Sequence, residues 1–212
     1  MGQLLWETDQ AFGCKRNGVM ARRLHFITHP EVVIDPTVPV PQWPLSEHGR
    51  SRMQRLLSRD WLWEVGAIYC STEPKAIDGA TILSEATRVP VHTVAEFGEN
   101  DRSATGYLPP ADFDATVDAF FARPSASVRG WECAEDAQAR IVRAVTHIAR
   151  TALGSGPLAV VSHGGVGTLL LCHLQGQPIS RKAEQPGASG GHYFLCHLPE
   201  GRLIHGWRSI DG

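Results

Sequence analysis

Two histidines in this sequence each stand directly after a short apolar run of the kind that forms a buried strand. His29 follows "LHFIT" and His163 follows "PLAVVS". Because ligands of open α/β sheets collect beyond the carboxyl ends of the strands, both imidazoles are expected at one edge of the same sheet. The stretch "GGVG", which begins at Gly164, opens the next helix, and the free N–H groups of a helix start favour an anion. A histidine pair beside an anion pocket and a carboxylate indicates phosphoryl transfer through a phosphohistidine.

Other polar residues at the ends of predicted strands complete the candidates. Ser71 closes "GAIYCS" and Glu96 closes "PVHTVAE", while Glu99 and Asp101 are equally available carboxylates in the loop that follows. Each feature also has a plainer interpretation. His29 would be a hydrogen-bonded residue at the rim of the core, "SHGGVG" a tight turn, and Glu96 a solvated charge. A metal site is the weaker alternative, because neither HxH nor HExxH spacing occurs and the cysteines are scattered.

Strands and helices alternate along the chain. Strands are predicted at 24–28, 66–71, 90–96 and in "PLAVVSH", and helices at 47–58, 75–87, 111–123, 133–153 and in "TLLLCHLQG". Ser46 is expected to cap the first of these helices. The final runs "GHYFLCHLPEG" and "RLIHGWRSI" are typical of an antiparallel pair. This order predicts an α/β three-layer sandwich, with a mostly parallel central sheet and helices on both faces.

The composition is that of one soluble globular domain. Of the 212 residues, 42% are hydrophobic and 20% are charged, and the formal net charge of −2 gives no basic field for nucleic acid or for an anionic membrane. The longest apolar stretch is broken by polar residues and glycines, so no transmembrane helix is expected. Five widely spaced cysteines with no CxxC pair, and no secretory signal, indicate reduced thiols and a cytoplasmic location. Residues 1–20 are interpreted as a flexible leader or a non-native extension, which leaves residues 21–212 as the domain.

Taken in order, these motifs resemble those of the histidine phosphatase superfamily, the phosphoglycerate mutase-like proteins. Thr28, His29, Pro30 and Glu31 stand where that family has Arg-His-Gly followed by Glu, and "PLSEHGRSRMQRL" is similar to its "PLTxxGxxQA" segment. "YCSTEPKAIDGATIL" is similar to "SSPLxRAxxTAxxL" and aligns Lys75 with the family's second arginine. "VAE" is similar to "LxE", and "VVSHGGVGTLL" to the motif of the second histidine. The resemblance runs from about residue 24 to the end of the chain.

This resemblance implies a single α/β domain that requires no metal and no nucleotide cofactor. It implies that His29 attacks phosphorus, that His163 holds the phosphoryl oxygens as a cation, and that Glu96, with Glu99 as its stand-in, protonates the leaving oxygen. The residues expected to contact the phosphate are Thr28, Lys75, Arg102, Ser71 and Gly164.

The predicted phosphate clamp departs from the family pattern. The planar fork of arginine binds two phosphate oxygens and stays charged, whereas Thr28 offers a neutral hydroxyl and Lys75 a point charge. Loss of one preorganised donor typically costs ~3 kcal/mol of transition-state stabilisation. Arg102 is either a replacement that reaches into the pocket or a solvated surface arginine. Pro30 lacks the N–H and the backbone freedom of the family's glycine.

The leading hypothesis is a phosphatase that hydrolyses a small phosphorylated substrate through a phosphohistidine intermediate. Mutase activity is less favoured, because no long insertion rich in basic and aromatic residues follows the third strand. The alternative is a catalytically degenerate pseudophosphatase that binds a phosphorylated or anionic ligand as a sensor or interaction domain, since both clamp arginines are lost. Trp43, Trp61 and Trp63 are candidates for the interface of a homodimer.

Overall fold

The computed structural model describes residues 21–212, which form a three-layer α/β sandwich around one six-stranded sheet. The predicted leader lies outside the described residues. The strands are β1 (Arg22–Thr28), β2 (Ala67–Cys70), β3 (Val91–Thr93), β4 (Leu158–Ser162), β5 (His192–Leu198) and β6 (Arg202–Ser209). The helices are α1 (Glu47–Gln54), α2 (Pro74–Thr87), α3 (Pro110–Ala122), α4 (Ala134–Thr151) and α5 (Gly164–Leu174). The predicted fold class is confirmed.

The sheet order β3-β2-β4-β1-β5-β6 places the two strands that precede the histidines side by side at its centre. Strands β3, β2, β4 and β1 are parallel, and β5 and β6 add an antiparallel edge, as the final two runs predict. All five residues of β4 are buried, as expected for a central strand covered on both faces. Thr28 pairs with Ser162, so the residues that follow them start from adjacent positions.

Each face of the sheet has its own apolar core. On one face, side chains of α3, α4 and α5 pack on β1 and β4, with Phe26, Trp131 and Phe194 as the largest buried members. On the other face, α1 and α2 pack around Met53 and Ile68. With helices on both faces, the carboxyl ends of the parallel strands are where a ligand is expected to bind.

Two element boundaries differ from the sequence prediction, and both bear on the site. Strand β3 ends at Thr93, and a 3-10 turn at Ala95–Phe97 follows in place of the predicted strand end at Glu96. The "GGVG" stretch is the first turn of α5, which begins at Gly164 directly after His163. Ser46 caps α1 as predicted, because its hydroxyl accepts a hydrogen bond from the Gly49 N–H at 3.0 Å.

The tryptophans proposed for a homodimer interface differ in exposure. Trp43 is buried, and its indole N–H donates to the carbonyl oxygens of Asp35 and Val38. The ring of Trp61 stacks on His25, whereas 59% of Trp63 is exposed. The homodimer remains a prediction, and Trp63 is the member of the set that is available for it. None of the helices within residues 21–212 has the length and apolar character that a bilayer crossing requires.

His25 in β1 is a buried imidazole outside the histidine pair. It is 1% exposed, its ring lies 3.8 Å from that of Trp61, and neither ring nitrogen has a hydrogen-bond partner within residues 21–212. Burial, together with the charges of Arg23 and His205, lowers the pKa of His25 from 6.5 to about 3. In the unfolded chain His25 is therefore protonated below pH 6.5, whereas in the folded chain it stays neutral down to about pH 3.

We therefore expect His25→Phe to make the protein less sensitive to acid. Stability linked to a lowered histidine pKa is complete above pH 6.5 and is lost as the pH falls towards 3. Phenylalanine retains the stacking on Trp61, so urea unfolding curves should show a fall in stability between pH 6.5 and 4 that is less steep by about one proton. The matched control is the exposed His147→Gln. Parallel pH dependences for parent and His25→Phe would contradict this account.

Candidate active site

The histidine pair lies at the carboxyl ends of β1 and β4. The backbone N–H of His29 donates to the Ser162 carbonyl at 3.0 Å, which continues the strand ladder by one residue beyond Thr28. The ring centroids of His29 and His163 are 5.1 Å apart and meet edge to face. The structure thus brings the two predicted histidines into one cluster, and the pairing of β1 with β4 sets their separation.

His29 is held in one tautomer with one nitrogen free. Its Nδ1 lies 2.8 Å from the Pro30 carbonyl oxygen. A carbonyl can only accept, so Nδ1 carries the hydrogen and Nε2 keeps its lone pair. Burial and the neighbouring His163 lower the pKa of His29 to about 3, against the opposing effect of the Pro30 hydrogen bond. At neutral pH the imidazole is therefore uncharged, and Nε2 has the electronic form of a nucleophile.

His163 is fully buried and directs Nε2 at two oxygens. Nε2 lies 2.7 Å from the Ser71 hydroxyl and 3.2 Å from the Glu73 carboxylate. Because a carboxylate can only accept, we assign the hydrogen to Nε2. Burial lowers the pKa of His163 to about 3, although the negative charge of Glu99 opposes the effect. The cationic form that the resemblance implies is therefore not the form of the resting pocket.

Glu99 is the carboxylate at the start of α5. Its two oxygens accept from the N–H groups of Gly165 and Val166 at 3.0 Å each, and Oε1 also accepts from Asn100 N–H at 3.1 Å. Arg102 lies 3.3 Å from Oε2. A Cβ on Gly165 would stand 2.6 Å from Oε1, so glycine at this position makes room for the carboxylate.

The charge state of Glu99 follows from these contacts. Burial raises the pKa of its carboxyl, but Arg102, His163 and the Gly165 N–H together outweigh burial and lower the pKa to about 2. In the resting pocket Glu99 is therefore ionised, and it fills the anion position of the helix start that the sequence assigns to a phosphate.

The structure does not bring Glu96 to the histidines. Glu96 lies in the 3-10 turn after β3, where its side chain is exposed and its carbonyl accepts from Arg140 at 2.8 Å. The carboxylate that reaches the site is Glu99, three residues after Glu96. Phe97, two positions before Glu99, is buried in the core. "FGE" has the same apolar-x-Glu spacing as "VAE", so the sequence does contain the signal for the later register.

Lys75 and Glu73 form a buried ion pair beside His163. The Lys75 ammonium lies 2.6 Å from Glu73 Oε2 and donates to the Val40 carbonyl at 2.8 Å. Glu73 also accepts from the Glu99 N–H at 3.0 Å. Lys75 therefore lies at the site, as its position in the motif predicts, but its charge is balanced by the Glu73 carboxylate. Glu73 is a site residue that the sequence analysis missed, and its only signal is its place between Ser71 and Lys75.

Arg102 lies beside Glu99 with its guanidinium in several contacts. Its guanidinium donates to Asn100 Oδ1 at 2.9 Å and lies over the rings of Phe113 and Trp131, 5.1 and 5.0 Å from their centroids. These contacts fix Arg102 beside Glu99, where it holds the carboxylate. In the resting pocket Arg102 pairs with Glu99, and its contact with phosphate remains a prediction.

The single hydrogen of the Thr28 hydroxyl already has an acceptor. It donates to Gln185 Oε1 at 2.6 Å and accepts from the His192 N–H at 3.0 Å. Gln185 comes from the segment before β5, and its amide nitrogen lies beside Gly164, where a Cβ would approach within 2.6 Å. Gln185 is the second site residue that the sequence analysis missed. Ser71 and Gly164 lie at the cluster as expected.

Other features of the described residues are separate from this cluster. A cavity of about 600 Å³ lies between the C-terminal half of α5 and β6, and neither histidine of the pair lines it. Within residues 21–212, no group of three His, Cys, Asp or Glu side chains is arranged to hold a metal ion.

Comparison with known proteins agrees with this architecture. Residues 39–208 match the family model of the histidine phosphatase superfamily (branch 1). The matched range begins after Thr28, His29 and Pro30, the stretch that departs most from the family pattern. No curated protein sequence matches the chain.

Three solved structures share this fold at low sequence identity. YhfR of Bacillus stearothermophilus is 23% identical with a TM-score of 0.75, and the match covers 90% of this chain and 100% of that one. A mycobacterial glucosyl-3-phosphoglycerate phosphatase in complex with inorganic phosphate is 22% identical with a TM-score of 0.74, covering 90% and 99%. The alpha-ribazole phosphatase of Shigella flexneri is 19% identical with a TM-score of 0.64, covering 89% and 96%.

Replacement of Glu99 by glutamine should weaken the fold as well as the site. Both oxygens of Glu99 accept from backbone N–H groups, whereas an amide has only one acceptor oxygen and would place its NH2 group next to one of these donors. We therefore expect the free energy of unfolding to fall by about 2 kcal/mol at pH 7. Because the Glu99 pKa is lowered from 4.5 to about 2, its stabilising effect is complete above pH 4.5 and the difference from the parent narrows as the pH falls. Urea denaturation measures both effects. The exposed Glu96→Gln is the control, and equal stability of the two variants would contradict the assignment.

Proposed function

The chain belongs to the histidine phosphatase superfamily, and on this basis we propose that it hydrolyses a small phosphorylated substrate through a phosphohistidine on His29. One observation carries the proposal. The hydrogen bond from His29 Nδ1 to the Pro30 carbonyl leaves the Nε2 lone pair free, beside His163 and the start of α5. Two structural neighbours are a glucosyl-3-phosphoglycerate phosphatase and an alpha-ribazole phosphatase, which supports a small phosphorylated substrate.

In the proposed first step, His29 Nε2 attacks phosphorus as the bond from phosphorus to the leaving oxygen breaks. The leaving oxygen takes a proton from a carboxylic acid. In the second step, water attacks the phosphohistidine, the same carboxylate accepts the proton of the water, and inorganic phosphate leaves with the imidazole restored. We assign the acid to Glu99, because it is the carboxylate that acts electrostatically on both histidines.

Glu99 must change partners to act as an acid. With a pKa of about 2 it holds no proton in the resting pocket. An arriving phosphoryl group competes for the Gly165 and Val166 N–H groups, and a carboxylate displaced from these donors to the side of an anion has its pKa raised. The same anion favours the protonated form of His163. Substrate binding would in this way create both the acid and the cation that the reaction needs.

A second candidate is a pseudophosphatase that binds an anion without turnover. The observation in its favour is the charge balance of the pocket. Lys75 is paired with Glu73 and Arg102 with Glu99, so no cation is left unpaired where the family has its clamp arginines. Calorimetry with inorganic phosphate or vanadate separates the candidates, because binding without hydrolysis of phosphomonoesters supports the pseudophosphatase.

Phosphoenzyme trapping tests the nucleophile. Acid-free quenching after mixing with a labelled aryl phosphate should leave one phosphoryl group on the parent protein and none on His29→Asn, because only the first has the attacking nitrogen. His92→Asn, which changes an exposed histidine of β3, is the matched control and should trap label like the parent. An unlabelled parent, or equal label on His29→Asn, would overturn the proposed intermediate.

The dependence on the leaving group tests the acid. Glu99→Gln should lower kcat about a hundredfold or more with an alkyl phosphate, whose leaving oxygen needs a proton, and much less with a nitrophenyl phosphate, whose leaving oxygen does not. Glu96→Gln should follow the parent with both substrates because its side chain is exposed and away from the histidines. If Glu96→Gln showed the selective loss with the alkyl ester, the acid would be Glu96 and our assignment would fail.

A further inference from the structure

Thr28 stands where the family resemblance places a clamp arginine, but its hydroxyl is not available to a phosphate. It donates to Gln185 Oε1 at 2.6 Å and accepts the His192 N–H at 3.0 Å. Thr28 is fully buried, and the other acceptor near its hydroxyl hydrogen is the His192 carbonyl at 3.2 Å. What the hydroxyl does in this structure is orient the amide of Gln185.

The Gln185 amide bridges the two strand ends that carry the histidines. Its oxygen is bound at Thr28, the last residue of β1, and its nitrogen lies against Gly164, the first residue of α5. His29 and His163 are the chain neighbours of these two residues. The amide nitrogen makes no hydrogen bond within residues 21–212, so its two hydrogens are available at the start of α5.

The segment that carries Gln185 is fixed on both sides. Before it, the Ala183 carbonyl accepts from the indole N–H of Trp207 at 2.8 Å. After it, the N–H of Gly191 donates to the His29 carbonyl at 3.2 Å. The backbone of the segment is therefore tied to β6 and to His29 itself, and the amide is held in place before any ligand arrives.

We propose that Gln185, oriented by Thr28, donates its amide N–H to a phosphoryl oxygen and so takes the place of the missing clamp arginine. The inference rests on the proposed phosphatase function and adds a substrate-contacting residue to it. A neutral amide presents one donor edge to phosphate where a guanidinium presents a charged fork, so this clamp binds a phosphoryl group with less affinity than arginine does. Arg102 and Lys75 are each paired with a carboxylate, so their charges attract the phosphate without direct contact.

The closing experiment compares Gln185→Glu with Gln185→Leu. Glutamate keeps an oxygen that can accept from Thr28 but replaces the amide N–H donors by a second oxygen, which repels phosphate. Leucine removes both the tether and the donors at similar size. If the amide binds a phosphoryl oxygen, both variants should raise the calorimetric Kd for inorganic phosphate and the KM for a nitrophenyl phosphate about tenfold or more.

The controls separate a phosphate contact from a structural tether. Gln177→Glu adds the same charge on an exposed glutamine beyond the opposite end of α5 and should leave Kd and KM as in the parent. A purely structural role predicts that the neutral Gln185→Leu melts at a lower temperature but, where it is folded, binds phosphate within about twofold of the parent. That result would overturn the inference.

Failure of this inference differs from failure of the proposed function. If the parent traps a phosphohistidine and Gln185→Glu retains the parental Kd and KM, the clamp assignment falls and the proposed function stands. If the parent neither binds phosphate nor traps label, both fall.

Discussion

The parallel pairing of β1 with β4 is the constraint on which the site depends. Because Thr28 pairs with Ser162 and the His29 N–H continues the ladder to the Ser162 carbonyl, the two histidines leave the sheet from adjacent positions. A shift of one residue in this register would turn His29 to the opposite face of the sheet. The two apolar cores that sandwich these strands resist such a shift, so the hydrophobic layers fix the geometry of the polar cluster.

The cluster itself is a balanced set of charges in a largely buried place. Two carboxylates, Glu73 and Glu99, face two cations, Lys75 and Arg102, and both histidines are neutral. Burial of any one of these charges alone would carry a large desolvation cost, and the attraction within each ion pair offsets that cost. The two glycines at the start of α5 make the arrangement possible, because Gly164 admits Gln185 and Gly165 admits Glu99. An anion that enters must therefore compete with Glu73 for Lys75 and with Glu99 for Arg102 and the helix N–H groups.

The sequence predicts the elements and the histidine pair because both depend on local pattern. Apolar runs that end in His29 and His163 are visible without any coordinates, and so is the alternation that makes the sheet parallel. The identity of the carboxylate is harder, because "VAE" and "FGE" have equal spacing and only the early end of β3 distinguishes them. The roles of Glu73 and Gln185 are harder still to predict from the sequence. Their roles depend on contacts with residues far away in the chain, such as the one between Gln185 and Thr28, and a single sequence has no signal for such pairs.

The contact between Lys75 and Val40 connects the interior of the site to the protein surface. The Val40 carbonyl accepts from both the Lys75 ammonium and the backbone N–H of Trp43, whose ring lies 5.9 Å from that of Tyr107. The ion pair of the site and the turn that carries the indole thus share one hydrogen-bond acceptor. A ligand that drew the ammonium away from Val40 would therefore also remove a contact of the proline-rich crossing.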